Sequence, residues 1–229
     1  MNYFAHGLLH IDRPYFLAGT CAPDWLSAID RGVRLRTRSA APHVEDDDPC
    51  VGEFARGVLQ HLSDDDWFHG SRGFAEVTGE LAAAFRTSIG ADHPTPCSFL
   101  GHIVTEMLLD AELIRRFPET LDAYYRALEG IDPERIERAV NQCAARGRTD
   151  RLQEFIPLFL RERFLADYVQ PGGLWMRLNQ VLLRVRLTPL PESGRGALTE
   201  GRRLVAARFE DLLPRERFAP PAETPARDG

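Results

Sequence analysis

The feature that most constrains this chain is the spacing of its apolar residues, which recur every three or four positions from about residue 51 onward. One stripe runs from Val51 to Leu62 and another from Phe74 to Ile89. This spacing lines one face of an α-helix, whereas no window of five or more residues alternates in the manner of a β-strand. The pattern predicts an all-α fold, a single-domain multi-helix bundle of seven to nine helices.

The positions where the apolar spacing is interrupted predict where each helix begins and ends. Near the N-terminus, a helix from Pro14 is expected to reach a turn at residues 22–26, and residues 37–50 are expected to form a surface loop. Further helices are predicted over these residues: 51–62, 74–89, 98–117, 119–128, from 132, 150–168, 174–185 and 197–213. The domain is therefore assigned to residues 1–213, with residues 214–229 as a disordered tail rich in Pro, Glu, Arg and Ala.

Composition excludes several classes of function. All 28 basic residues are arginine, which removes a Schiff-base lysine and the lysine of a phosphate-binding loop. The four cysteines form no CxxC motif, which argues against a zinc ribbon or a thioredoxin-like centre. A net charge of −6 with no basic tract argues against nucleic acid as a non-specific partner.

Location follows from the absence of targeting signals. The first residues, Met1 to His6, carry no positive region and no long apolar run, unlike a secretory signal peptide. No apolar stretch approaches the ~20 residues of a membrane span. We therefore expect a cytoplasmic protein.

The first chemistry-bearing pattern is His61-x-x-x-Asp65-x-x-x-His69. On one continuous helix these positions lie along a single face, so three potential metal ligands project into the same space. Imidazole nitrogen and carboxylate oxygen suit zinc, manganese or ferrous iron. The alternative is a helix break at Ser63, because Ser63 to Asp66 also resembles the capped start of a new helix.

The second pattern is His102-x-x-x-Glu106, with Asp110 a turn further on, in an otherwise apolar helix. Burying an imidazole and two carboxylates is costly unless a cation or hydrogen-bond partners compensate. Gly101 permits close approach by another helix or a ligand. A metal site and a core histidine bonded to a neighbouring carboxylate both remain open here.

Two isolated polar residues add to these patterns. His6 follows the apolar segment Tyr3-Phe4-Ala5, and Asp24 stands between Pro23 and Trp25. Combined with the two histidine–carboxylate pairs, they predict a metal site. Its ligands would be His6, Asp24, His61, Asp65, His69, His102 and Glu106, which could hold one to three divalent ions.

Several of these motifs resemble bacterial acyl-carrier-protein phosphodiesterases. That family opens with a similar Met-Asn-…-Ala-His segment, followed by a Gly-x-x-x-x-Asp-aromatic segment like Gly19 to Trp25. Its Gly-x-x-x-His-x-x-x-Asp-x-x-x-Asp helix is similar to Gly57 through Asp65, with His69 here in place of the last aspartate. The resemblance covers roughly residues 1–115 and implies a phosphodiesterase, with an acyl-carrier protein as one implied substrate.

The order of the ligands also resembles zinc-dependent phospholipase C and its nuclease relatives. Those all-α phosphoesterases use an early His, an Asp, a His-x-x-x-Asp helix with a further His, and a His-x-x-x-Glu helix. The spacing from Asp65 to His69 is shorter here, and those enzymes are secreted. A more distant likeness is to the His-Asp (HD) metal-dependent phosphohydrolases, so the resemblances imply an HD-like or phospholipase C-like helical fold.

These observations lead to one mechanistic expectation. The protein would be a metal-dependent phosphodiesterase or phosphohydrolase acting through metal-activated water. Asp65 and Asp24 are the expected catalytic carboxylates, because a carboxylate can bridge two ions. Arg56 and Arg72 flank the His61–His69 segment and could clamp the substrate phosphate; the alternative is that both are solvated surface charges. The alternatives are a non-catalytic helical binding protein that retains the scaffold, or a metal-dependent hydrolase of a non-phosphate ester.

Overall fold

The computed structural model describes residues 1–218 and confirms the all-α class. Its α-helices are α1 Tyr3–Gly7, α2 Pro14–Ile29, α3 Thr37–Ala40, α4 Pro49–His69, α5 Arg72–Ile89, α6 Cys97–Arg116, α7 Pro118–Glu129, α8 Pro133–Cys143, α9 Leu152–Glu162, α10 Pro171–Arg184, α11 Arg195–Ala207 and α12 Phe209–Leu212. Short 3-10 helices occupy Leu8–His10, Ala41–His43, Phe164–Val169 and Glu192–Gly194. The helix count exceeds seven to nine because α1, α3 and α12, with four or five residues each, are too short to show a helical period.

The described chain divides into two compact units, each built from discontiguous segments. The first, here called the His61 unit, comprises Tyr3–Asp66 and Glu119–Phe164. The second, the His102 unit, comprises Met1–Asn2, Trp67–Pro118 and the segment from Leu165 onward. The assignment of residues 1–213 to one domain stays a prediction.

In the His61 unit, helices α2 and α4 touch through their backbones at two glycines. A Cβ built on Gly19 would lie 2.9 Å from the Cα of Gly57 and would overlap the carbonyl oxygen of Phe54. A Cβ on Gly57 would in turn overlap the carbonyl oxygen of Phe16. Only glycine allows so close a crossing. The fully buried aromatic side chains of this unit include Phe4, Trp25, Phe54, Tyr124 and Tyr125.

The His61 unit also contains a two-stranded antiparallel ribbon, which the sequence did not predict. Strand β1, Arg34–Leu35, pairs with β2, Ala144–Arg146. Gly147 follows β2 with φ 73°, a left-handed conformation that glycine adopts without steric cost. The strands are too short to produce the alternation by which a strand is recognised in a sequence.

Helix α9 is shorter than its predicted range of 150–168. A carboxylate from α8 caps its start, because Glu137 accepts hydrogen bonds from the backbone N–H groups of Leu152 (3.0 Å) and Gln153 (3.3 Å). Pro157 is tolerated inside the helix, and the helix ends where Arg163 turns left-handed with φ 44°. A 3-10 helix then replaces the predicted continuation.

In the His102 unit, α5 and α6 pack closely, and α11 covers them. A Cβ on Gly101 would lie 3.1 Å from the backbone nitrogen of Ala82 and would overlap the carbonyl oxygen of Thr78. The predicted close approach at Gly101 is therefore made by helix α5. Gly201 of α11 lies similarly against the side chains of Leu81 and Leu108.

Several predicted boundaries are wrong. The expected turn at residues 22–26 lies within α2, which includes Pro23, and the expected loop 37–50 contains α3. Helix α6 begins at Cys97, one residue before its predicted start at residue 98. Helix α10 begins at Pro171, three residues before its predicted start, and the helix predicted over 197–213 is divided into α11 and α12.

The C-terminal segment is described only as far as residue 218. Residues 214–218 form a turn in which the backbone N–H groups of Arg217 and Phe218 donate to the carbonyl of Pro214, and Phe218 is buried. The rest of the predicted disordered tail, 219–229, lies outside the described residues.

Within residues 1–218, no helix combines the length and the apolar character that crossing a membrane requires.

Candidate metal centres

Three of the predicted ligands meet in the His61 unit and are here called the His61 group: His6, His61 and Asp65. Nε2 of His6 lies 3.2 Å from Oδ1 of Asp65, and Nε2 of His61 lies 3.4 Å from Oδ2. Both imidazoles are buried, and their rings stack with centroids 3.9 Å apart. Helix α4 is continuous through Ser63, so the i, i+4 placement of His61 and Asp65 on one face holds.

The crossing of α2 and α4 fixes the orientation of His61. His61 lies one helical turn after Gly57, and its Nδ1 is 2.8 Å from the carbonyl oxygen of Thr20, the residue after Gly19. A carbonyl oxygen only accepts hydrogen bonds, so Nδ1 carries the proton and donates. In the neutral ring, Nε2 then holds a lone pair directed at Asp65.

A side-chain relay orients His6 in the same way. Nδ1 of His6 lies 3.4 Å from Oδ2 of Asp64, whose other oxygen accepts a hydrogen bond of 2.7 Å from the side-chain amide of Gln60. A carboxylate accepts, so Nδ1 of His6 is the donor. The Nε2 atom of His6 is buried and makes no hydrogen bond of acceptable geometry in the described structure, although Asp65 is 3.2 Å away.

These contacts produce the arrangement found around bound metals. Metal-ligating histidines usually donate their second N–H to a carboxylate or a backbone carbonyl, which fixes the tautomer and the ring orientation. Two imidazole lone pairs facing carboxylate oxygens repel unless a proton or a cation lies between them. Ligand atoms about 2.0–2.1 Å from a tetrahedral ion stand roughly 3.3 Å apart, close to the separations of 3.2 and 3.4 Å observed here.

Asp65 is held in its charged form. Burial would raise the pKa of its carboxyl group, but its close contacts with the imidazoles of His6 and His61 outweigh burial and hold that pKa well below its usual range. The carboxylate is therefore ionised at neutral pH, as a metal ligand must be.

A second set of ligands, the His102 group, lies in the His102 unit and comprises His69, His102 and Glu106. Nε2 of His69 is 2.8 Å from Oε1 of Glu106, and Nε2 of His102 is 3.3 Å from the same oxygen. The amino group of Met1 also lies 3.2 Å from that oxygen. Burial alone would raise the pKa of Glu106. The Met1 ammonium and hydrogen bonds from His102 and His69 instead lower it to about 2.

The two groups differ in how their imidazoles are supported. The His69 and His102 side chains are 32% and 44% exposed, and within residues 1–218 neither Nδ1 atom has a hydrogen-bond partner. The contact of 2.8 Å from His69 to Glu106 is an ordinary hydrogen-bond length. The His102 group is thus compatible both with a metal and with a histidine–carboxylate network, the two alternatives that the sequence left open.

Asp24 belongs to neither group. It lies on α2, one turn after Thr20, and is half-buried. The structure therefore divides the seven predicted ligands into two sets of three, each with ligand atoms within 4.8 Å of one another, and leaves Asp24 outside both.

The two arginines predicted to bind phosphate already have carboxylate partners. Arg56 pairs with Glu45 at 2.9 Å and with Glu53 at 3.0 Å. Arg72 pairs with Glu76 at 2.6 Å, and its side chain is 91% exposed. A phosphate would have to displace these glutamates, so the assignment of both arginines stays a prediction.

Sequence reasoning missed the backbone partner of the His61 group. Nothing in a sequence marks the carbonyl of Thr20 as an acceptor for a histidine 41 residues away. The role of Asp64 is easier to predict from the sequence, because a carboxylate is a common hydrogen-bond partner for the second nitrogen of a metal-ligating imidazole. Gln60, four residues before Asp64, could have been found from the same i, i+4 spacing.

Comparisons of the chain with known family models, curated proteins and solved structures gave no match.

Proposed function

We propose that this protein is a metal-dependent hydrolase with phosphoesters as its substrate class, and that the His61 group holds its catalytic ion. One observation carries the proposal. Both imidazoles use Nδ1 to bind an outer partner, Thr20 or Asp64, and turn Nε2 toward the same carboxylate. A cation between the three side chains would relieve the repulsion between the two nitrogen lone pairs and the carboxylate.

The number of ligands supports a catalytic rather than a structural ion. Structural zinc sites close their coordination with four protein ligands, commonly cysteines, whereas catalytic sites use three and leave a position for water or substrate. The His61 group supplies two nitrogens and one carboxylate. Zinc, manganese and ferrous iron all accept this donor set.

The chain's own residues have separable tasks in this proposal. His6 and His61 supply neutral nitrogen ligands, and Asp65 supplies the negative charge. Thr20 and Asp64 hold the two rings in place. When bound, a divalent ion would lower the pKa of a coordinated water from 15.7 toward ~7 and provide hydroxide at neutral pH.

The choice of phosphoesters rests on the resemblance to carrier-protein phosphodiesterases and phospholipase C-like enzymes. Gly57, His61 and Asp65 carry that resemblance, and in the structure they adjoin on α4. The donor set alone would also serve a hydrolase of another ester. The His102 group offers a second ion site in the same proposal, and an acyl-carrier protein remains one candidate substrate among phosphodiesters.

Metal content tests the proposal first. Untagged protein purified without chelator would be measured by plasma mass spectrometry beside His61→Ala, with Asp66→Asn as control. Asp66 is exposed and belongs to neither ligand group. We expect at least one equivalent of zinc, manganese or iron in the wild type and the control, and the loss of one equivalent in His61→Ala.

Activity forms the second arm. The metal-loaded protein would be assayed on a chromogenic phosphodiester, a phosphomonoester and a carboxylic ester. Phosphoester cleavage that disappears in His61→Ala supports the proposal, and cleavage of only the carboxylic ester would move it to another hydrolase class. A wild type that contains no metal and takes up none would overturn it and favour the non-catalytic helical binding protein.

A further inference from the structure

Arginines that lack a carboxylate partner concentrate in two segments of the His61 unit. Two segments, residues 30–40 and 144–151, supply seven of them: Arg31, Arg34, Arg36, Arg38, Arg146, Arg148 and Arg151. All seven are exposed. Among residues 1–218, none of the seven has a carboxylate within ion-pair distance, whereas many other arginines of the chain do, such as Arg13, Arg56 and Arg135.

The β1–β2 ribbon joins these segments, which lie more than a hundred residues apart in the chain. Arg34 is paired directly with Arg146 across the strands. A Cβ on Gly147 would lie 3.1 Å from the carbonyl carbon of Gly32, so the chain beyond β2 stays against the chain before β1. The guanidinium of Arg151 donates to the carbonyl of Ile29. We call this set of seven side chains the arginine ribbon.

The arginine ribbon has a local charge opposite to that of the whole chain. Seven arginines and two aspartates, Asp30 and Asp150, give these segments a net charge of +5, whereas the chain carries −6. Like charges directly opposite each other on paired strands are destabilising. Arg34 and Arg146 face each other with no carboxylate of the described chain within ion-pair distance of either. This pairing departs from the rules of local stability, as binding surfaces often do.

The composition of the surface indicates its partner. Protein interfaces contain buried apolar and aromatic anchors, but the exposed large apolar residues of the described chain, Leu9, Leu158, Met176 and Leu183, all lie outside the two segments. The segments also contain no aromatic residue on which unpaired bases could stack. Interfaces with duplex backbones are instead polar and strongly positive, and guanidinium groups match phosphate geometry.

We propose that the arginine ribbon binds the phosphate backbone of a nucleic-acid duplex without reading its sequence. The net charge of −6 argues against such a partner, but it is a sum over the whole chain and does not describe this surface. A duplex carries one negative charge per ~1.7 Å of its axis, so it responds to the local charge of the surface that it meets. The inference uses none of the metal ligands and stands whether or not the protein is a hydrolase.

Fluorescence anisotropy with a labelled 20-base-pair DNA duplex tests the proposal, with EDTA present so that metal-dependent cleavage cannot interfere. The triple variant Arg34→Gln/Arg36→Gln/Arg146→Gln would be compared with the control Arg86→Gln/Arg184→Gln/Arg203→Gln. The control arginines are also exposed and without an ion pair in the described structure, so both variants change net charge by the same three units.

We expect the wild type to bind with a Kd of about 1–100 µM near physiological salt, and log K to fall linearly with log salt. The ribbon variant should bind at least tenfold more weakly at 50 mM salt. Its salt slope should be shallower by about 2–3, because each phosphate contact contributes ~0.9. The control should stay within about twofold of the wild type. Thermal melts should show the ribbon variant folded and no less stable, since the Arg34–Arg146 repulsion is removed.

Three outcomes would overturn the proposal. The wild type could fail to bind the duplex at 50 mM salt. Both triple variants could lose affinity equally, which would mean that only total charge matters. Polyglutamate or anionic vesicles could bind at the ribbon while the duplex does not, which would assign the surface to an acidic protein or a membrane.

Discussion

Gly19 of α2 and Gly57 of α4 lie in backbone contact, and this contact sets the distance between the Thr20 carbonyl and His61. Each glycine precedes one of the bonded partners, Thr20 by one residue and His61 by one helical turn. Any side chain at the crossing would push the helices apart. The orientation of a candidate metal ligand therefore depends on two residues that carry no chemistry of their own.

Replacing Gly57 with alanine should weaken both the fold and the metal site. The added Cβ would overlap the carbonyl oxygen of Phe16, and such overpacking typically costs about 1–3 kcal/mol. Gly79→Ala is the matched control, because Gly79 lies inside helix α5 with no atom within 4 Å of its Cβ position. That change should stabilise the protein by about 0.5–1 kcal/mol. Urea unfolding and zinc titration would measure both effects, and equal stability of the two variants would contradict the prediction.

Asp64 should control metal affinity without being a ligand. Replacing it with asparagine keeps the size of the side chain but removes the carboxylate that accepts from Nδ1 of His6. Loss of an outer partner of a ligating histidine typically weakens metal binding about 10–100-fold. The control is Asp66→Asn, which removes the same charge from the exposed face of α4. Competition against a zinc-sensitive dye would measure affinity, and identical affinities for the two variants would remove Asp64 from the site.

The fold class and the His61–Asp65 pair of the candidate site could be predicted from the sequence, because both depend on local spacing. The helical period and the His61–Asp65 spacing depend on residues at most four apart, which share a face in any continuous helix. His6 was also identified, but its contact with Asp64 spans 58 residues and depends on how α1 packs. The Thr20 carbonyl was unpredictable, since a backbone acceptor has no signature in a sequence.

The same distinction limits what the net charge of a chain can predict about its partners. Composition averages over all residues, whereas the β1–β2 pairing that places Arg34 beside Arg146 is set by tertiary packing. The turn expected at residues 22–26 was wrong for the same reason, because tertiary context overrides local propensity and Pro23 lies inside α2.

The two ligand groups should respond separately to mutation. Because the His61 and His102 groups share no residue, His102→Ala should leave the ion of the His61 group in place and remove only an ion bound at the His102 group. His61→Ala should do the reverse. Metal stoichiometry of the single and double variants measures this, and loss of all metal in either single variant would show that the groups bind metal together.

Glu106 should make the protein sensitive to acid in a defined range. Its folded pKa of about 2 lies below the ordinary value of 4.5, so the ionised carboxylate stabilises the fold at pH values above about 4.5. As pH falls from 4.5 toward 2, the carboxylate takes up a proton more readily in the unfolded chain, and this stabilisation is lost. Between pH 5 and pH 3 the loss is about 2 kcal/mol at 1.36 kcal/mol per pKa unit.

A Glu106→Gln variant isolates that contribution, because glutamine cannot titrate. Urea unfolding of both proteins at pH 5 and pH 3 would show a drop in the free energy of unfolding that is larger for the wild type by about 2 kcal/mol. If the free energy of unfolding fell equally in the two proteins, the Glu106 carboxylate would be no more stable in the folded state than in the unfolded chain, and the prediction would be wrong.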